Sequence, residues 1–173
     1  MVGEIVIHCE WLLTMADGQE PIHDAYVKIT DGKIKAVGSW QDTVLEPACE
    51  LVDAQNRLVM PGLINTHTHA AMVLFRSLAD DLSLLPWLKE KIWPLEAKLT
   101  PEDIYNGTRL AINEMLLSGT TTFADMYFFM DEVARAVEES GIRGVLARGL
   151  IGEDAEAEKK LEEAVEMSKK WKG

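Results

Sequence analysis

A chain of 173 residues, 47% of them apolar, is long enough to bury a core of its own. Lys and Arg total 17 against 29 Asp and Glu, so the formal charge is 17 − 29 = −12, which repels phosphate backbones and anionic lipid. Nucleic acid and membrane surfaces are therefore not expected as partners, and no apolar run approaches the roughly 18 residues that suggest a membrane span.

The two cysteines, Cys9 and Cys49, lie far apart and neither belongs to a CxxC pair, so neither a disulfide nor a thiolate metal site is expected. Met1-Val2-Gly3-Glu4 lacks the basic start and apolar run of a signal peptide. A reducing, cytoplasmic setting is the expectation.

Up to about Asn56 the chain reads as short strands separated by turn chemistry. Ile5-Val6-Ile7 and Leu12-Leu13 look like strands. Ala25–Thr30 and Lys33–Gly38 alternate apolar and polar residues on either side of Asp31-Gly32, the favoured two-residue hairpin signal. Leu51-Val52 is a weaker strand. Residues 1–56 are thus read as a small, composite, β-sandwich-like module.

From Arg57 onward, strands alternate with amphipathic helices, the pattern of βα units around a parallel sheet. Leu58–Ile64 reads as a buried strand or strand entrance, with Thr120–Tyr127 and Arg143–Arg148 as strands two and three. The first main helix is predicted to start at Thr100-Pro101-Glu102-Asp103, where Thr can cap, Pro suits the first turn and two acids meet the positive end of the dipole. Its apolar spacing runs through Ile104, Thr108, Ala111, Ile112, Met115 and Leu116 to a stop at Ser118-Gly119.

A second helix is expected near Asp131–Ser140, ending at Gly141, and a third, marked by Leu161, Val165 and Trp171, to the end of the chain. The acidic run Glu153–Glu158 before it reads as a solvated helix start. The fold class is accordingly α/β: the β module followed by the first three βα units of a (β/α)8 barrel, over residues 57–173. A complete barrel takes about 250 residues, whereas residues 58–173 supply 173 − 58 + 1 = 116, so the barrel is expected to be incomplete within this sequence.

The chemistry concentrates in Pro61-Gly62-Leu63-Ile64-Asn65-Thr66-His67-Thr68-His69. Side chains two apart on a strand share a face, so His67 and His69 present two imidazoles to one point while Thr66 and Thr68 face away. Neutral imidazole is a common zinc ligand, and a catalytic zinc needs further ligands and an open position for water. The alternative is a pair of half-exposed strand histidines bonded to backbone. Position favours the metal reading, because barrel active sites lie at strand carboxyl ends. His8 and His23 belong to the β module and read as surface or structural.

The segment Pro61–His69 resembles the first metal-binding motif of the amidohydrolase superfamily, and the β module, with its Gly32–Gly38 segment, resembles that superfamily's small domain. Within it, Arg76–Leu82, Trp87-Leu88, Trp93-Pro94-Leu95-Glu96, Ala124–Tyr127 and Ala147–Leu150 look like the branch of 5′-methylthioadenosine/S-adenosylhomocysteine deaminases. Guanine deaminases and triazine hydrolases share part of the pattern.

The resemblance implies a mononuclear zinc hydrolase with His67 and His69 as two metal ligands. A third His and an Asp, with a Glu for proton transfer, are expected beyond residue 173, so no catalytic residue is assigned within the chain. Zinc would lower the pKa of a water, hydroxide would attack C6 of an adenine ring, and ammonia would leave. By motif, Glu96 matches a residue that contacts the substrate, plausible as an acceptor for ribose hydroxyls. Arg148 matches a substrate-contacting arginine able to grip a carboxylate or donate to hydroxyls.

The bland readings are an exposed acid for Glu96 and a structural ion pair for Arg148. Asp125 reads as a structural hydrogen-bonding residue, and Trp87 and Trp93 as packing or an aromatic wall. Met72, Met126 and Met130 are expected to line apolar space. A small-molecule nucleoside is the expected substrate, and the remainder of the barrel or a homo-oligomer partner is expected to be needed. Other readings remain open: a guanine, cytosine or triazine hydrolase, or a non-catalytic fragment with half a metal site.

Overall fold

A computed structural model describes residues 3–150 and 155–171, in two compact units, Met1–Pro61 and Gly62–Gly173. In the first unit, β1 (Ile5–Leu12), β2 (Ile22–Thr30), β3 (Lys33–Ser39) and β4 (Glu50–Val59) form a four-stranded sheet of order β3-β2-β1-β4. The first two pairings are antiparallel, and β1 pairs β4 in parallel. The segments read separately at residues 5–7 and 12–13 are one strand, β1. A sandwich-like module was expected; the four described strands form one mixed sheet, joined by three ladders, β3–β2, β2–β1 and β1–β4.

The β2–β3 hairpin turns on Asp31 and Gly32 at φ 51° and 70°, with Thr30 opposite Lys33, as the Asp-Gly signal predicts. Cys9, Leu12, Ala25 and Val27 build the core beneath this sheet. Both cysteines are free thiols, Cys9 buried and Cys49 partly so. His8 is structural: its Nε2 lies 2.7 Å from Asp24 Oδ1, Nδ1 lies 3.1 Å from the Gln55 amide, and the ring stacks on Trp40 with centres 3.7 Å apart. His23 packs edge-on against Trp11.

Leu58–Ile64, expected as one strand, is split. Leu58 and Val59 end β4, opposite Trp11 and Leu12, and β5 (Leu63–Thr68) begins a second sheet. Pro61 has no amide hydrogen for a ladder. Gly62 lies so close to Thr121 that a Cβ there would sit 2.2 Å from its Oγ1. The expected burial is also absent, since Leu63 and Ile64 are 51% and 65% exposed. The units divide at Pro61, later than the Asn56 boundary read from sequence, because β4 continues past residue 56.

In the second unit, β5, β6 (Thr120–Tyr127) and β7 (Arg143–Arg148) form a parallel sheet in that order. A 3₁₀ segment, Ala70–Phe75, follows β5; then come α1 (Leu84–Pro86), a π-helical turn (Trp87–Ile92) and α2 (Trp93–Glu96). Helices α3 (Pro101–Leu117) and α4 (Met130–Ser140) connect the strands, and α5 (Ala155–Lys170) follows β7. The acidic run begins with Glu153 and Asp154, which lie outside the described residues, and α5 starts at Ala155.

Ile104, Thr108, Ala111 and Ile112 of α3 are buried as the spacing predicts, whereas Leu116 is 43% exposed. Ala111 and Ile112 meet Phe123 of β6 and Ala136 of α4 in one core cluster, and Ile104 meets Ala71, Tyr127 and Val133 in another. Leu161 and Val165 of α5 are largely exposed, while the Trp171 indole donates to Asp131 at 2.5 Å. Among the described residues, no helix is long and apolar enough to cross a membrane.

The start of α3 is a capping box. The Asp103 amide donates to Thr100 Oγ1 at 3.3 Å, and the Thr100 amide donates to Asp103 Oδ2 at 2.9 Å. Hydrogen bonds from the Thr100 hydroxyl and then its amide hold the Asp103 carboxyl below its ordinary value. Its contribution is present above the ordinary carboxylate range and lost as the pH falls through the lowered folded-state value. Thr100→Ala should therefore cost about 1 kcal/mol at neutral pH, read from urea midpoints, and the difference from the parent should shrink in acid.

Candidate metal centre and adjoining cavity

His67 and His69 sit where β5 ends. His67 is exposed within the strand, and its amide donates to Asn65 Oδ1 at 3.3 Å. His69 lies one residue past the strand, at φ −126° and ψ 76°, leading into the 3₁₀ segment. Their ring centres are 5.3 Å apart with an interplanar angle of 76°. An ion about 2.0–2.1 Å from one nitrogen of each ring, at a tetrahedral angle, would hold the ring centres about 5 Å apart. The observed spacing fits.

The ring of His69 is already oriented. Its Nδ1 lies 2.6 Å from the Met126 carbonyl oxygen, which can only accept, so in neutral imidazole Nδ1 carries the proton and Nε2 the free lone pair. Among the described residues, no group of three or more His, Cys, Asp and Glu gathers that could hold a metal.

Asp125 fixes the end of β5. It is 3% exposed, and its Oδ1 accepts at 2.7 Å from both the Thr68 hydroxyl and the Ala70 amide. Thr68 also lies 2.9 Å from the Ala124 carbonyl. Burial pushes the Asp125 carboxyl up, and the hydrogen bonds from Thr68 and Ala70 draw it part of the way back. The structural role expected of Asp125 matches these contacts.

Beside His69 a cavity of about 360 Å³ is lined by Glu96, Arg148, Trp87, Trp93 and Tyr127, together with apolar side chains including Met72 and Met126. Three of the sequence-selected residues, His69, Glu96 and Arg148, meet there, and the two tryptophans supply aromatic wall. His67 does not line the cavity but adjoins it through His69. Trp87 is anchored by its indole nitrogen, which donates to the Leu78 carbonyl at 3.0 Å.

Glu96 is held from within. The Tyr127 hydroxyl donates to its Oε1 at 2.6 Å, and burial, followed by the bond to Glu96, holds the Tyr127 phenol far above its ordinary value. Arg148 donates from Nε to Glu163 Oε2 at 3.0 Å and from Nη1 to the Gly149 and Tyr127 carbonyls at 2.9 and 3.3 Å. It therefore combines the ion pair considered from sequence with a place on the cavity wall. A second cavity of about 450 Å³, between Phe128, Phe129 and α5, includes Arg148 but neither histidine of the pair.

Sequence reasoning missed Tyr127 as a site residue and missed the 3₁₀ segment and the helical stretch over 84–96. A strand-terminal Tyr next to a Met-rich, Phe-rich stretch reads as core. The 84–96 stretch carries Pro86 and Pro94 and no regular apolar period.

The model of the amidohydrolase family matches residues 58–173. A protein of Syntrophomonas wolfei named 5-methylthioadenosine/S-adenosylhomocysteine deaminase is 57% identical over 88% of this chain and 35% of its own length. A 5′-deoxyadenosine deaminase of Methanosarcina mazei is 49% identical over 99% of this chain and 40% of its own. Among solved structures, an adenosine deaminase from Xanthomonas campestris with bound zinc superposes with a TM-score of 0.89 at 34% identity, covering 98% of this chain and 40% of that one. The chain thus spans 35% and 40% of the lengths of these two curated relatives.

Removing the Asp125 carboxylate leaves the Ala70 amide without its acceptor, while the Thr68 hydroxyl can still turn to the Ala124 carbonyl. Asp125→Ala should cost about 1–3 kcal/mol by denaturant titration, the penalty of leaving the buried Ala70 amide unsatisfied. A loss under about 0.5 kcal/mol would mean that this tie does not hold the end of β5.

Proposed function

The chain belongs to the amidohydrolase family, and on that premise we propose that it supplies half of the metal site and much of the substrate pocket of a zinc-dependent deaminase of adenosine-type nucleosides. In this reading β5, β6 and β7 are the first three strands of a (β/α)8 barrel. The remaining ligands and the proton-transferring Glu, His and Asp come from further barrel units. The observation that carries the proposal is the meeting of His69, Glu96 and Arg148 on one cavity, with His67 at metal-sharing distance from His69.

His67 and His69 would hold the ion through one nitrogen each, and the Met126 carbonyl accepts from His69 Nδ1, which leaves Nε2 as that ring's free lone-pair atom. Zinc bound there supplies Lewis-acid activation of water for hydrolysis. The base then lies near the histidines, Glu96 accepts from the ribose hydroxyls, and Trp87 and Trp93 exclude water along the cavity wall. Arg148 meets the substituent at the far end of the sugar. Glu163 already occupies its Nε, so a substrate carboxylate has to share or displace that partner. The zinc-containing adenosine deaminase structure and the relatives named for adenosine derivatives support this reading.

The test uses the active enzyme containing this chain. His67→Ala or His69→Ala should abolish stoichiometric zinc in elemental analysis. Arg148→Ala should lower kcat/KM about 10- to 100-fold more for adenosylhomocysteine than for adenosine, the size of one charge-assisted hydrogen bond. An enzyme that deaminates guanine well and ignores every adenosine derivative would overturn the substrate assignment, and zinc retained undiminished by both histidine variants would overturn the metal site.

A further inference from the structure

Tyr127, the last residue of β6, touches three residues of the candidate site with three different parts of itself. Its hydroxyl donates to Glu96 Oε1 at 2.6 Å, its ring lies 6.1 Å from the His69 ring at 30°, and its carbonyl accepts from Arg148 Nη1 at 3.3 Å. The residue is only 6% exposed, and Phe128 stacks on it with ring centres 4.3 Å apart. We propose that Tyr127 is a positioning residue: by occupying Oε1 of Glu96 it dedicates the other carboxylate oxygen to the substrate and makes the cavity selective for a sugar bearing a vicinal diol.

The proposal rests on the reading of Glu96 given above. A carboxylate only accepts hydrogen bonds, and a protonated phenol placed 2.6 Å away donates one. With one lone pair of Oε1 engaged and its direction fixed by the phenol, Oε2 is the freer oxygen to accept from a ligand. The contact also has a structural consequence. Glu96 ends α2, a short element separate from the sheet, whereas Tyr127 is fixed in the β6 ladder opposite Arg148. The hydrogen bond therefore registers the acid to the same strand whose Met126 carbonyl orients His69. Without the hydroxyl, Glu96 remains on the cavity wall but regains rotamer freedom, and only ligands that use the acid should notice.

The experiment compares adenosine with 2′,3′-dideoxyadenosine in the active enzyme, by steady-state kinetics and by calorimetric titration. Tyr127→Phe keeps the ring and its stacking. It should lower the adenosine-to-dideoxyadenosine ratio of kcat/KM about tenfold, mainly through KM, and raise the adenosine Kd by a similar factor. In a Glu96→Ala background the same substitution should change neither that ratio nor the adenosine Kd. Glu96→Gln, which leaves Tyr127 intact, is the second variant. Its amide oxygen would stay on the phenol and its NH₂ would face the diol, so the ratio must fall there too. Equal losses for both nucleosides, or an undiminished effect of Tyr127→Phe in the Glu96→Ala background, would overturn the positioning role. Should Glu96→Ala itself fail to separate the two nucleosides, the assignment of Glu96 falls; should it separate them while Tyr127→Phe is silent, only the role of Tyr127 falls.

Discussion

Asp125 accepts from the Thr68 hydroxyl and the Ala70 amide with one buried oxygen, and the candidate site depends on those two bonds. They span the residue between, His69, so the backbone that carries this imidazole is pinned on both sides to the neighbouring strand. The next residue of that strand, Met126, then orients the ring through its carbonyl. A strand end is ordinarily a place where backbone groups lose their ladder partners. Here a side chain of β6 takes over the pairing as β5 gives way to the 3₁₀ segment, and the histidine pair gains a fixed geometry without lying wholly within regular structure.

Much of this was legible in the sequence because it depends on local rules. The Asp31-Gly32 hairpin, the Thr100–Asp103 cap and the bounds of β6 and β7 follow from turn chemistry, capping and alternation, which act over a few residues. His67 and His69 could be selected because a two-residue period has one geometric meaning on a strand. The metal reading of that pair rested on spacing, strand-end position and motif resemblance together, and the substrate readings of Glu96 and Arg148 on resemblance alone; the structure adds that His69, Glu96 and Arg148 share one cavity.

What sequence did not disclose depends on tertiary pairing. The run Leu58–Ile64 is interrupted only by Pro61-Gly62; Leu58 and Val59 pair with β1 while Leu63 opens another sheet, and the local break does not say which partner each side takes. Tyr127 shows the same limit: its importance lies in the hydroxyl meeting Glu96, 31 residues earlier. Leu161 and Val165 have helical spacing that suggests a buried stripe, yet both are substantially exposed. Periodicity states which residues share a face and leaves open what that face meets.

The order of strands in the first unit also bears on how the chain acquires its structure during synthesis. β1 is an inner strand, flanked by β2 and β4, but its parallel partner arrives late: Ile5 pairs with Glu50, a separation of 50 − 5 = 45 residues. The β2–β3 hairpin can form from adjacent sequence, and β1 can add to it, while the other edge of β1 waits unpaired for β4 to leave the ribosome. Non-local parallel pairing is slow because loop closure precedes its reward. The four-stranded sheet is therefore completed only as the segment leading into His67 and His69 emerges, so nascent chains pass through an interval with an open strand edge, the state in which association with other chains competes with folding.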